Sequence, residues 1–153
     1  MKKINTLRII LIVWISIIFI NSLLPGEVSG EQSGFVTDLA LRVFGVFGYE
    51  PDPITLQSII RMTAHAVEFM ILGALIFLDR KRADYPFYQM FLIGVGVALT
   101  DEIFQIFVPG RAFELIDLLI DSSGLSLGIL LMLYIYRIPK RKQRHLLEDI
   151  DES

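Results

Sequence analysis

The sequence predicts an all-α protein: a four-helix transmembrane bundle with an interfacial amphipathic helix in its first outer loop. Three observations lead there. The 153 residues are 54% hydrophobic and only 20% charged, against about 45–50% and about 25% in an average soluble domain; the mean hydropathy is +0.59. The charges are clumped, and between the clumps lie apolar runs of about 18–23 residues, enough to cross a hydrocarbon core of about 30 Å. Pro and Gly stand at the ends of these runs, as helix stop signals do.

The first run extends from about Leu7 to Leu24 and ends at Pro25-Gly26. A cleaved leader is the alternative reading of this run, with Lys2-Lys3 as its charged region and a cut after Val28-Ser29-Gly30. In the connection that follows, Phe35, Val36, Leu39, Ala40, Val43 and Phe44 share one helical face. That spacing suits a short amphipathic helix in the membrane interface, broken afterwards by Gly45, Gly48, Pro51 and Pro53. The second run covers about Gln57 to Leu78 and stops at Asp79-Arg80-Lys81-Arg82. The third covers about Pro86 to Val108 and ends at Pro109-Gly110-Arg111; the fourth covers about Leu115 to Tyr136. Residues 1–138 then form one membrane domain, and residues 139–153 a cytoplasmic tail, basic and then acidic, expected to fray from Gln143.

Orientation follows from the basic residues. Lys2, Lys3 and Arg8 precede the first span; Arg80, Lys81 and Arg82 separate the second and third; Arg137, Lys140, Arg141, Lys142 and Arg144 follow the fourth. Of the 14 basic residues only Arg42, Arg61 and Arg111 remain for the other side. The positive-inside bias places both termini in the cytoplasm. Tyr85, Tyr88, Tyr134 and Tyr136 near span ends suit an interfacial belt. A net charge of −3 speaks against a nucleic-acid partner, and the absence of cysteine removes disulfides and thiolate metal sites.

Ionisable groups at bilayer depth are costly unless paired or wetted, so each marks a candidate site. Arg61, His65 and Glu68 follow at spacings of four and three and share a face of the second span. Asp101, Glu102 and Gln105 lie in the last turns of the third; Asp101 and Gln105 share a face with Gly94 and Ala98, and Glu102 sits about 100° round the helix. Asp117 and Asp121 stand one turn apart on the fourth, above Gly124 and Gly128. Ser22 and Asn21 close the first span. With alternating spans all of these fall in the outer half, where Arg61 and Arg111 flank the carboxylates and suit a phosphate or carboxylate ligand.

Each residue also has a plain structural reading. Arg61 can snorkel to headgroups, His65 can be a packed neutral imidazole, and Glu68 and Asp101 can make interhelical hydrogen bonds. Asp117 suits a first helical turn. Gly124 and Gly128 form a close-packing notch, for a neighbouring span or for a second copy of the chain. Convergence of the polar set at one end is the stronger argument.

The three ordered segments Arg61-Met-Thr-Ala-His65-Ala-Val-Glu68-Phe, Ala98-Leu-Thr-Asp101-Glu102-Ile-Phe-Gln105-Ile-Phe-Val-Pro109-Gly110-Arg111 and Asp117-Leu-Leu-Ile-Asp121-Ser-Ser-Gly124-Leu-Ser-Leu-Gly128 resemble the VanZ-like family. Ser22-Leu-Leu-Pro25 is similar to the family's first span end, and Asp121 stands where the family often carries Asn. The resemblance implies a bacterial cell-membrane protein, related to the accessory protein of glycopeptide resistance that lowers susceptibility to teicoplanin. It implies no settled reaction.

Three function classes are then open. The first is a protein acting at the outer leaflet on a membrane lipid, cell-envelope precursor or glycopeptide, through Ser22, Arg61, His65, Glu68, Asp101, Glu102, Gln105, Arg111, Asp117 and Asp121. The second is an intramembrane enzyme on a lipid-linked or isoprenoid-phosphate substrate, with His65, Glu68, Asp101 and Glu102 as acid–base groups. The third, a transporter, is disfavoured because the inner halves of the spans hold almost no ionisable residue. No cofactor is called for, and no metal is expected: one histidine and scattered carboxylates make an unspecific set, and hard cations need several converging oxygens.

Overall fold

The computed structural model describes residues 6–80 and 86–151, with side chains from Thr6 to Asp79 and from Pro86 to Tyr136. Lys2, Lys3, Lys81, Arg82 and Tyr85 lie outside the described residues, as do the side chains of Arg80 and of the basic tail. Among the described residues the chain is all helical, with five helices and no strand: α1 Thr6–Ser22, α2 Gly26–Val46, α3 Pro53–Arg80, α4 Phe87–Gln105 and α5 Leu115–Asp151. Three of them, α3, α4 and α5, carry segments long and apolar enough to cross a membrane, and α1 with α2 passes the same test as a pair bent by 104°.

The bend sits at Pro25, which disfavours helical backbone at Leu24 and starts α2 from an extended conformation (φ −51°, ψ 145°). The expected short helix over residues 35–44 is therefore a 21-residue helix beginning at Gly26. Gly48 ends it in a left-handed conformation (φ 71°). The Gly48 amide donates to the Gly45 carbonyl and the Tyr49 amide to that of Phe44, closing the last turn in a Schellman arrangement.

α3 begins at Pro53, four residues before the apolar run. Pro53 starts the helix instead of breaking it, because a first-turn residue needs no amide proton. Asp52 caps this end by accepting from the Thr55 amide at 2.8 Å and the Thr55 hydroxyl at 2.7 Å. These bonds hold the Asp52 carboxyl below its ordinary pKa. α4 stops at Gln105, three residues short of Val108, and a turn through Gly110 (φ 78°) leads into α5. α5 is helical through Asp151, so the tail continues the last helix where fraying was expected.

α3 and α5 are the central pair. An added Cβ would meet the Leu125 carbonyl at Gly73, the Ala66 carbonyl at Gly124 and the Met70 carbonyl at Gly128. The two backbones meet where glycine lets them. The notch considered for a second copy is thus filled by α3 of the same chain. α4 adds Gly94 against the Leu125 side chain, and α1 packs through Trp14 and Phe19, whose ring meets Phe104 edge-on at 5.2 Å. The core gathers Ile18, Phe69, Leu72, Ile76, Met90, Ala98, Leu125 and Ile129. Outward positions such as Ile12, Leu92, Leu119 and Leu127 are apolar and exposed, as a lipid-facing surface requires.

Candidate functional site

The polar residues that the sequence singles out come together at the end of the bundle capped by α2 and the α4–α5 turn. Gly26 holds these two parts together: its amide donates to the Pro109 carbonyl at 3.1 Å, and a side chain there would strike Gly110.

The shared face of α3 is divided between α1 and two levels of α5. Glu68 turns to α1, where Oε1 accepts from the Asn21 amide at 3.2 Å and the Glu68 carbonyl accepts from the Trp14 indole at 3.1 Å. His65 turns to α5, with Nδ1 3.3 Å from Asp121 Oδ1, an ion-pair distance without hydrogen-bond alignment. Arg61 reaches the start of α5 loosely, at 3.6 Å from Glu114 Oε2 and 3.9 Å from Asp117 Oδ2.

α4 supplies the buried carboxylates. Asp101, Glu102 and Gln105 are 2%, 0% and 3% exposed. Glu102, placed by the helical period away from Asp101, is enclosed because α5 packs on that side. Its Oε2 accepts from the Glu114 amide at 2.8 Å and so ties α4 to the start of α5. The Gln105 amide bridges Asp101 Oδ2 at 3.1 Å and Glu102 Oε1 at 3.3 Å. Ser22 donates to the Asp101 carbonyl at 3.0 Å and pins the end of α1 to α4. Asp121 is fully buried. One carboxylate oxygen from each of Asp101, Glu102 and Asp121 lies within 4.8 Å of the others. The oxygens that the sequence left scattered do converge.

Two clefts open above this layer. One, of about 220 Å³, is lined by Ser22, Arg61, His65, Glu68, Asp101 and Arg111 together with Asn21 and the α2 residues Ser29 and Ser33. The other, of about 400 Å³, adjoins it across Arg61 and Arg111 and reaches Gln105, Glu114 and Asp117. Arg111 makes no ion pair among the described residues and lines both clefts. A third, apolar groove of about 570 Å³ runs between α1 and α3 past Trp14, Ile17 and Val67. It meets the first cleft at Asn21, Ile60, Ala64 and Glu68.

Eight of the ten expected site residues thus line the two polar clefts, while Glu102 and Asp121 lie in the buried layer. Sequence reasoning missed the wall made by α2, where Gln57 of α3 donates to the Gly30 carbonyl and Ser33 Oγ at 3.0 Å each. The signal was available: Ser29, Ser33 and Thr37 recur every fourth residue and form a stripe along one side of α2.

No curated protein and no solved structure matches the chain. The VanZ/LLP1 family model matches residues 7–137, which includes every residue of the clefts and of the carboxylate layer, and the chain belongs to that family.

Proposed function

We propose that the chain is a bacterial cell-membrane protein of four spans, with both termini cytoplasmic, that binds a cell-envelope lipid or glycopeptide at the outer leaflet and contributes to teicoplanin tolerance. The observation that carries this reading is the junction of the arginine-lined cleft with the apolar groove at Asn21, Ile60, Ala64 and Glu68. An amphiphile with an anionic headgroup fits that pairing: guanidinium groups for the head, a lipid-facing channel for the chain. Charge placement supports that orientation, since the basic residues cluster before the first apolar run, between the second and third, and after the fourth. α1 alone, at 17 residues, is about 25 Å long. Crossing with so short a helix is eased by α2, which turns through 104° and exposes Phe35, Val36, Leu39 and Val43 for the interface. Family membership supports the link to glycopeptides.

The test is binding of an isoprenoid phosphate, presented in vesicles, to purified protein. A charge-assisted contact contributes about 1.5–3 kcal/mol, so Arg111→Ala should weaken binding by roughly 10- to 100-fold. In cells, Glu68→Gln, Asp101→Asn and Arg111→Ala should each abolish tolerance at equal expression. Wild-type behaviour from all three variants sinks the shared-site reading. Release of a product in the vesicle assay would favour an enzyme using His65, Glu68, Asp101 and Glu102 over a binding protein.

A further inference from the structure

We propose that Asp101, Glu102 and Asp121 hold one hard divalent cation, of the magnesium or manganese class, with the His65 imidazole beside it as a counter-charge. Three carboxylates from two helices offer oxygens within 4.8 Å of one another. Ligands opposite each other across a Mg²⁺ ion, at about 2.1 Å each, stand about 4.2 Å apart. Three oxygens at the 4.8 Å limit lie about 2.8 Å from a common centre, so closing them on an ion at about 2.1 Å needs a contraction of at most about 0.7 Å per oxygen.

The second observation concerns oxygens without partners. Asp121 is 0% exposed and neither of its oxygens makes a hydrogen bond; Asp101 Oδ1 is likewise buried and unbonded. Buried polar atoms in native proteins are nearly always satisfied, and an unsatisfied one points to a bound species. The oxygens that are satisfied, Asp101 Oδ2 and both of Glu102, take their bonds from Gln105 and the Glu114 amide. Those donors lock the two α4 carboxylates and leave Asp101 Oδ1 and Asp121 Oδ2 unbonded, while Asp121 Oδ1 has only His65 Nδ1 at 3.3 Å.

The surrounding cations do not meet the need. Arg61 pairs with Glu114 and Asp117 and not with this cluster. His65, with Nδ1 3.3 Å from Asp121 Oδ1, can offset one negative charge of the three. A divalent ion offsets the other two. An all-oxygen set selects a hard cation, and a compact set of three carboxylates suits a small one such as Mg²⁺ or Mn²⁺. Asp101 also lines the first cleft, so water there can complete the coordination.

The experiment titrates Mn²⁺ into the purified, chelator-stripped full chain in detergent, read by electron paramagnetic resonance and by thermal shift. One Mn²⁺ per chain should bind, be displaced by Mg²⁺, and raise the melting temperature. Asp121→Asn should weaken Mn²⁺ at least tenfold and lose the thermal shift. It should melt no lower than wild type without metal, since it removes one of three repelling charges at constant shape. Glu102→Gln replaces it should that variant fail to insert. No saturable Mn²⁺ binding to wild type, or equal binding by the variants, overturns the proposal and leaves the cluster to protons alone. The titration contains no envelope lipid, so its failure and the failure of lipid binding are separate results.

Discussion

Gly128→Ala is the sharpest probe of the α3–α5 contact that holds the site together. The new methyl would meet the Met70 carbonyl oxygen, with the Ala74 amide nitrogen 3.1 Å away. Both obstacles are backbone inside a helix, so no rotamer change relieves them and the helices must separate. Overpacking costs about 1–3 kcal/mol, and a backbone obstacle belongs at the upper end. At about 2–4 °C per kcal/mol for a chain of this size, the melting temperature in detergent should fall by roughly 6–12 °C. Gly96→Ala is the control. A Cβ at Gly96 meets nothing within 4 Å, so relief of glycine's backbone entropy should stabilise α4 by about 0.5–1 kcal/mol. Opposite signs from the same substitution isolate packing from helix propensity. If Gly128→Ala melts at or above wild type, the close approach of α3 and α5 is wrong. The residues built on it, His65 facing Asp121 above all, would then need another arrangement.

Other outcomes follow from single contacts. Trp14→Phe removes the indole donor to the Glu68 carbonyl and should cost about 1 kcal/mol in thermal unfolding; no loss would mean that the bond contributes nothing. Asp52 has a depressed folded pKa because it accepts from Thr55. Its contribution is therefore present above the unfolded value of 3.8 and lost as pH falls through the lower folded value. Asp52→Ala should lower the melting temperature at pH 7, with the gap to wild type closing below that range, and a gap that stays constant refutes the capping role. Since the chain has no cysteine, Glu50→Cys should react with a membrane-impermeant maleimide in intact cells while Asp84→Cys should not. The reverse pattern overturns the proposed orientation.

Much of the site is legible in the sequence because polar residues in apolar helices are costly anomalies. Arg61, His65, Glu68, Asp101, Asp117 and Asp121 announce themselves by being there at all, and the helical period says which can share a face. What it leaves open is the neighbour each one meets. Arg61, His65 and Glu68 read as one face, yet they answer to Glu114, Asp121 and Asn21 respectively. A stripe that wide touches several helices at once, and only the packing apportions it. Glu102 shows the same limit, since its position off the Asp101 face becomes an interior one only once α5 covers it. Serines and glycines in α2 carry no comparable penalty in a connection, so the wall they form could be seen only from their spacing.

The glycines explain why this division is fixed. Gly73, Gly124 and Gly128 bring α3 and α5 into backbone contact, and that contact sets the height at which His65 meets Asp121. One turn above, Arg61 meets Asp117; one turn below Asp121 begins the apolar core with Leu125. The same register places Asp121 beside the last turns of α4, where Gln105 has already bridged Asp101 and Glu102. A slip of one residue along α5 would rotate Asp121 by about 100°, out of the carboxylate layer, and would turn the glycine notch away from α3. Close packing and carboxylate convergence therefore depend on one register. A loss of Mn²⁺ binding in Gly128→Ala, with Asp101, Glu102 and Asp121 all intact, is the result expected if that dependence holds.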